Sequence, residues 1–478
     1  MTTPPRRLTN TVRLLLAPVF LGCALVGVTL AAADWNEFVV LCTDYSTVGE
    51  LVVVERYSPW SCTGTTEPVG PDPVGRFHDG LYYIVNRGGA SNLQIIDPDA
   101  NYQTVSQFSL GSDRNPQDIA FRDDGIAFVS CYEEAVLLKV DVAAGTILDT
   151  YSTAAFADAD GLPETAWMQA VGHLLYIAVQ RLDSENWYVP TGLSLLAIFD
   201  MTTETWVDVI PGSPELDGIV LTGESPYTQL ELSPDRQRLR VGCNGWYGSL
   251  DGGIEIVDLA TRTSLGFEVT ESTLGGDLID FETVADTLGC VSVADAAFAT
   301  SLVVYDPVTG GGVSTILSAG GYAYHDLAYD GAGLLYVVDR TYSNPGLRVV
   351  SLPDGTELTT SPIDCGLPPH FVVLPRDEAL TATPPTVTSR LQLSPPWPNP
   401  SNPGCTVQLR GAPHHTVELG IYDLRGRRVR GTRVQLDGAG EGRYFFDGSD
   451  DSGRPVASGS YRAVAEAERI GRVFTLVR

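Results

Sequence analysis

The sequence predicts an all-β protein: a seven-bladed β-propeller followed by a small β-sandwich. Three observations point there. A single Asp returns at the end of a short apolar strand, in Ile-Ile-Asp97, Lys-Val-Asp141, Ile-Phe-Asp200, Ile-Val-Asp258 and Val-Tyr-Asp306, at spacings of 44, 59, 58 and 48 residues. Val-Val-Glu55 precedes the series and Val-Val-Ser351 follows it, so seven units share one pattern, and a period of this length marks a solenoid, an array or a propeller. Each unit divides into short runs rich in Val, Ile, Phe and Tyr, bounded by turn formers, and 49 Gly and 31 Pro in 478 residues suit many tight turns.

Unit three shows the pattern most plainly. Residues 117–121, 126–131, 136–141 and 146–151 read as four successive strands, and four antiparallel strands make one propeller blade. The second and third strands recur at 81–85 and 92–96, 174–179 and 195–200, 239–242 and 253–258, 290–293 and 301–306, and 334–339 and 347–350. The recurring Asp is expected to head the turn between third and fourth strands, with a Gly following in Asp141-Val-Ala-Ala-Gly145 and Asp306-Pro-Val-Thr-Gly310. It reads as a turn marker on the outer part of the blade, not as a ring of ligands. Unit one starts directly with its second strand, at 37–42. The missing innermost strand is found at the far end, in Pro368-Pro-His-Phe-Val-Val-Leu374, and such pairing closes a toroid and protects its edges. The propeller is therefore placed over 35–376.

Residues 1–33 read as a secretory signal peptide: Arg6, Arg7 and Arg13 precede an apolar run from Leu14 to Leu30, and Ala31-Ala32-Ala33 supplies the small residues of a cleavage site. No other stretch approaches membrane-spanning length, so no integral membrane segment is expected after signal removal. A polar linker occupies 377–394, with Thr381–Ser389 rich in Thr and Pro. From 395 to 478 six short strands with alternating patterning, as in Val417-Glu-Leu-Gly-Ile-Tyr-Asp423, read as the sandwich.

The formal net charge is −29, and the body from 34 to 390 holds 50 acids against 15 bases, with Lys139 the one lysine of the chain. An acidic body repels nucleic acid and anionic membranes, so neither is expected as a partner. The eight cysteines show no C-x-x-C metal or haem spacing. Cys42, Cys131 and Cys243 end the same strand of alternate units and should not bridge one another, whereas Cys42–Cys62 is a candidate clip within unit one.

Tyr336-Val337-Val338-Asp339 and Tyr83-Ile84-Val85-Asn86, each leading to a later turn, resemble the YVTN-type repeat propellers, which implies a fold and no particular activity. The tail is more specific. Pro398-Asn399-Pro400, Ile421-Tyr422-Asp423-Leu424-x-Gly426-Arg427-x-Val429 and Phe446-Asp447-Gly448-x-Asp450-x-x-Gly453-x-x-Val456-Ala457-Ser458-Gly459-x-Tyr461 resemble the Ig-like domains related to the flagellar hook-capping protein. Their close relatives are type A sorting domains of type IX secretion. Phe446 stands where those have Trp, and Arg472 where they have Lys. The resemblance implies an Ig-like sandwich over 395–478 recognised by outer-membrane secretion machinery, and a product that is secreted or held at the cell surface. Asp447, Asp450 and Asp451 lack the spacing of a calcium loop and read as turn acids.

No G-x-S-x-G, H-E-x-x-H or phosphate-binding Gly loop occurs, and His414-His415 falls in a loop of the small domain. Aligning the innermost strands puts Gln117, Thr228, His325 and His370 at one repeat position, and Asp118, Gln229, Asp280 and Asp326 one residue later, as candidate channel-lining residues. Closure of the ring brings His325 and His370 to neighbouring blades, where two imidazoles with nearby carboxylates are candidate ligands for a divalent metal. No other cofactor is indicated. Two readings result. One is a secreted, non-catalytic binding module with a protein or carbohydrate ligand on the propeller face. The other is a secreted metal-dependent hydrolase or lyase, lactonase-like, with its site at the channel mouth.

Overall fold

A computed structural model describes residues 35–376 and 391–477, except 123, 211–212, 214, 394–395, 397–398, 403, 411–415, 424, 437–440 and 466–469. The signal peptide, most of the linker and His414-His415 lie outside the described residues. Nearly all regular structure is strand, in successive antiparallel four-stranded sheets joined in chain order. Blade three comprises Pro116–Phe121, Ile126–Cys131, Val136–Asp141 and Thr146–Ser152, paired in that order. Six further sheets repeat this order, the fourth adding a short fifth strand, Ile219–Val220.

The burial patterns follow from position within a blade. The second strands are covered on both faces by neighbouring blades, so Ile126–Cys131 and Leu81–Asn86 are buried along almost their whole length. The outermost strands alternate between exposed and half-buried, as in Gln103–Ser109. Between blades lie apolar clusters: one runs through blades one to three (Val39, Leu41, Ile84, Val129, Phe371), and another joins blades seven and one (Tyr336, Val338, Phe38, Val40).

Blade one takes its innermost strand from the far end of the chain. Pro369–Val373 pairs antiparallel with Glu37–Thr43, in register Val39↔Val373, Val40↔Val372 and Leu41↔Phe371, and the Thr43 N–H donates to the Pro368 carbonyl at 2.9 Å. An ion pair of 2.8 Å between Arg56 of blade one and Asp330 of blade seven, both almost fully buried, clamps the same seam. The recurring Asp residues head turns as expected. Asp141 Oδ1 accepts the Ala144 N–H at 2.8 Å, Asp258 Oδ1 that of Thr261 at 2.7 Å, and Asp306 Oδ1 that of Val308 at 2.9 Å. The Gly145 and Gly310 N–H groups close back on the Asp141 and Asp306 carbonyls, both glycines being left-handed at φ 64° and 63°.

The C-terminal domain forms two sheets around one core. Thr416–Asp423 is flanked by Arg428–Gln435 and Gly459–Ala465, with Ile470–Leu476 outside the latter, and Cys405–Arg410 pairs with Glu441–Phe446 opposite. Phe446, Phe474, Tyr461 and Val407 fill the space between. Asp447 Oδ1 accepts the Ser449 N–H and Asp450 Oδ1 the Ser452 and Arg454 N–H groups, so these two acids serve turns, while Asp451 Oδ1 accepts the N–H of Gly431 in the strand Arg428–Gln435. The seven described cysteines are free thiols. Cys365 approaches both Cys42 and Cys62, and its proximity together with burial raises the Cys62 thiol above its ordinary range. Among the described residues no helix is long and apolar enough to cross a membrane.

Candidate functional site

The register decides which residues meet. In every blade the start of the innermost strand lies beside the end of the second: Pro73↔Asn86, Pro116↔Cys131, Tyr324↔Asp339 and Cys42↔Pro369. Residues just past each second strand therefore gather, with the first residues of the innermost strands, around one mouth of the ring. Arg87 follows Leu81–Asn86, Arg340 follows Leu334–Asp339, and Tyr45 follows Glu37–Thr43. His370 is the second residue of Pro369–Val373. Blades seven, one and two are neighbours, so the four side chains converge.

The Tyr45 hydroxyl lies 2.6 Å from His370 Nδ1. His370 Nε2 lies 3.4 Å from Arg87 Nη2 and 3.6 Å from Asp72 Oδ1. Arg87 only donates, so the imidazole accepts at Nε2, and Nδ1–H donates to the Tyr45 oxygen. Arg87 also donates to Asp72 at 2.7 Å and to Gln117 Oε1 at 3.3 Å, and the Gln117 amide donates to both the carbonyl and the side-chain oxygen of Asn115 at 3.1 Å. The Arg340 guanidinium carbon sits 3.7 Å above the Tyr45 ring centre. Arg340 has no carboxylate partner among the described residues, and its Nε, like that of Arg87, is buried without a hydrogen-bond partner.

Electrostatics follow from this geometry. Burial, then the charges of Arg87, Arg340 and His325, hold His370 well below the ordinary histidine range, so it is neutral at pH 7. Burial likewise lowers His325, whose Nε2 donates to the Tyr322 carbonyl at 2.9 Å. Burial without a compensating acid lowers Arg340 to about 10. Tyr45 is held in the left-handed region, at φ 56°, inside a tight turn: Asp44 Oδ1 accepts the N–H groups of Ser46, Thr47 and Val48 at 2.8–2.9 Å.

An aromatic wall adjoins this cluster. His325 meets the Tyr322 ring edge-on at 4.6 Å, Tyr322 meets Tyr247 at 6.4 Å, and Tyr247 stacks on Phe298 at 5.3 Å with planes 12° apart. Phe298 is 53% exposed. Burial raises the Tyr227 phenol although 47% of that residue is exposed, as expected on the wall of a concavity. Deeper in, Trp167 of blade four stacks on Phe371 of blade one at 5.7 Å and 10°, and its Nε1 donates to the Tyr227 carbonyl at 2.8 Å. Side chains from opposite sides of the ring thus meet across its axis.

The candidates from repeat register divide into two groups. Gln117 and His370 belong to the mouth cluster, with His325 beside it. The three aspartates point into the next blade instead of the lumen. Asp118 accepts the Met168 N–H, Asp280 that of Leu327 and Asp326 that of Val372, each at 2.8 Å. Asp118 and Asp326 lie one residue before pairing resumes after a register shift, and Asp280 directly after one, and from there each carboxylate reaches the adjoining inner strand and ties the blades together. Thr228 donates to the Gln229 carbonyl at 3.0 Å, and Gln229 is half-buried beside it. Among the described residues no group of three or more His, Cys, Asp or Glu side chains is placed to hold a metal ion. Sequence reading missed Arg87 and Arg340, although each directly follows one of the two best Tyr-Val-x-(Asn/Asp) matches.

Residues 405–471 match the family model described as the FlgD Ig-like domain. No curated protein matches the chain in sequence. Among solved structures, a protein from Lactobacillus plantarum is similar at 13% identity and a TM-score of 0.50, covering 70% of this chain and 98% of that one. A putative 6-phosphogluconolactonase from Bacteroides fragilis is similar at 12% identity and 0.48, covering 72% and 99%. Apo AztD from Citrobacter koseri is similar at 11% and 0.43, covering 70% and 97%. At these identities the likeness is one of fold.

Proposed function

We propose that this chain is an exported binding protein that takes a saccharide at the propeller mouth, with the C-terminal Ig-like domain serving export. The observation that carries the reading is the exposed, stacked Tyr247–Phe298 pair, its planes nearly parallel, on the wall that adjoins a fixed set of polar groups, Tyr45, His370, Arg87 and Gln117. Aromatic walls with a few placed donors are the usual make-up of small-ligand sites. A pyranose face, with its axial C–H groups, stacks on such rings while its hydroxyls meet donors at the edge. The site is built on strand ends, which hold the donors in place before a ligand arrives.

The electrostatics favour this over a metal-dependent hydrolase. A divalent cation between His325 and His370 would sit within the field of Arg87 and Arg340, which already suppresses protonation of His370. Calorimetric titration of the purified protein with short oligosaccharides tests the reading. Binding is expected to weaken about tenfold in Phe298→Ala and Tyr247→Ala, in line with an aromatic stacking contribution of about 0.5–1.5 kcal/mol plus lost contact area. Saccharide affinity indifferent to both substitutions would remove the support for the mouth as the site.

A further inference from the structure

Resting on that reading, we propose that the ligand carries a carboxylate, as a uronic-acid saccharide does, and that Arg340 receives it with the help of Arg87 and Tyr45. The first ground is the state of Arg340 at the mouth. The chain holds 59 acids and 30 Lys and Arg, and most of the arginines buried or half-buried in the propeller have an acid partner, Arg56 with Asp330, Arg76 with Asp118, Arg240 with Glu268 and Arg348 with Asp339, while Arg181 donates to the Phe156 carbonyl and Arg262 meets the Tyr176 phenol. Arg340 alone of this group faces the mouth with an aromatic ring beneath it and no acid beside it. Its neighbour Asp339 is turned away, bound to Arg348 at 2.6 Å. A half-buried guanidinium without a counter-ion is unfavourable in the free protein, and an arriving anion relieves that penalty.

The second ground is the direction of the neighbouring donors. His370 donates to the Tyr45 oxygen, which leaves the Tyr45 hydroxyl hydrogen to be donated outward. Arg87 keeps a buried Nε without a partner. Asp72 balances Arg87 at 2.7 Å, so the cluster carries one uncompensated positive charge with His370 neutral. That charge matches a single carboxylate better than a dianion, and a planar guanidinium fork fits a planar carboxylate by two parallel hydrogen bonds. The aromatic wall lies beyond His325, where the ring carrying the carboxylate would stack.

Three titrants applied to the purified protein separate the possibilities: an oligogalacturonate, a neutral oligosaccharide of equal length, and inorganic phosphate. The oligogalacturonate is expected to bind at least tenfold more tightly than the neutral sugar. Arg340→Ala should erase that difference by lowering the oligogalacturonate affinity much more than the neutral one, Arg340→Lys should restore part of it, and Phe298→Ala should weaken both sugars equally. Because Arg340 makes no ion pair among the described residues, its removal strands no acid, and Arg340→Ala is expected to unfold in urea close to the parent's midpoint, which keeps a loss of binding interpretable. Equal affinities for the acidic and neutral sugars in the parent, or discrimination that survives in Arg340→Ala, would overturn the carboxylate assignment while leaving the saccharide reading in place. Arg340-dependent binding of phosphate with no binding of either sugar would overturn the saccharide reading and with it the uronate.

Discussion

Replacing Asp118 with Ala should be among the most damaging single changes in the propeller. One carboxylate serves four donors there. Arg76 Nε and Nη2 donate to its two oxygens at 2.9 Å each, and the N–H groups of Ile119 and Met168 donate at 2.8 Å. The two side chains retain only 13% and 2% exposure, so removing the acid leaves a guanidinium deprived of its counter-charge in a poorly hydrated place. Breaking a buried pair from one side costs about 3–5 kcal/mol. A carboxamide keeps the shape and one acceptor, so Asp118→Asn should lose roughly half as much, in the range of about 1.5–3 kcal/mol for a hydrogen bond to a charged group. The assay is urea unfolding followed by tryptophan fluorescence, for which Trp167, 5.7 Å from the Arg76 guanidinium, reports on this seam. Arg76→Met combined with Asp118→Ala should destabilise far less than the sum of the two singles. Additivity to within about 0.5 kcal/mol would show that the two residues do not act as a unit, and the reasoning would fall.

Trp167→Ala removes the stack on Phe371 and the bond to the Tyr227 carbonyl; a loss of about 3–5 kcal/mol in urea unfolding is expected, and Trp167→Phe should recover part of it. Glu164 has a folded-state carboxyl raised to about 8 by burial, with Oε1 unpartnered, against an ordinary 4.5 when unfolded. The folded chain then binds the extra proton between those values, so this contribution to stability is complete below pH 4.5 and declines as pH rises to 8. Glu164→Gln should flatten that decline, by up to about 1.4 kcal/mol per pH unit, and parallel slopes for the two proteins would contradict it. Deleting 395–478 should leave the protein in the periplasm on cell fractionation, and undiminished release would separate the C-terminal domain from export.

Much of the fold was legible because blades are built from local signals. The Asp-headed turns lie within a few residues of the strands they join, and the missing strand of unit one had a visible substitute in Pro368–Leu374. The mouth was legible only in part. Register placed Gln117, His325 and His370 at one level, but Arg87 and Arg340 lie one residue beyond the repeat motif, where a strand pattern gives way to a loop. Asp280 and Asp326 resembled lining residues because position in a strand does not say which blade a side chain enters. The Trp167–Phe371 stack joins blades four and one, and no period in the sequence relates residues across the axis of a ring.

The shared blade also sets an order of events. Its outer three strands end at Val69, and its inner strand begins at Pro369. A chain made from its N-terminus must carry an open arc, with an unpaired strand edge at Glu37–Thr43, through the synthesis of every other blade. Contacts this distant in sequence are slow to form, and an uncovered strand edge is a template for association with other chains. A truncation before Pro369 would therefore produce not a smaller ring but an aggregating crescent, and the five residues Pro369–Val373 act as the latch on which solubility of the remainder depends.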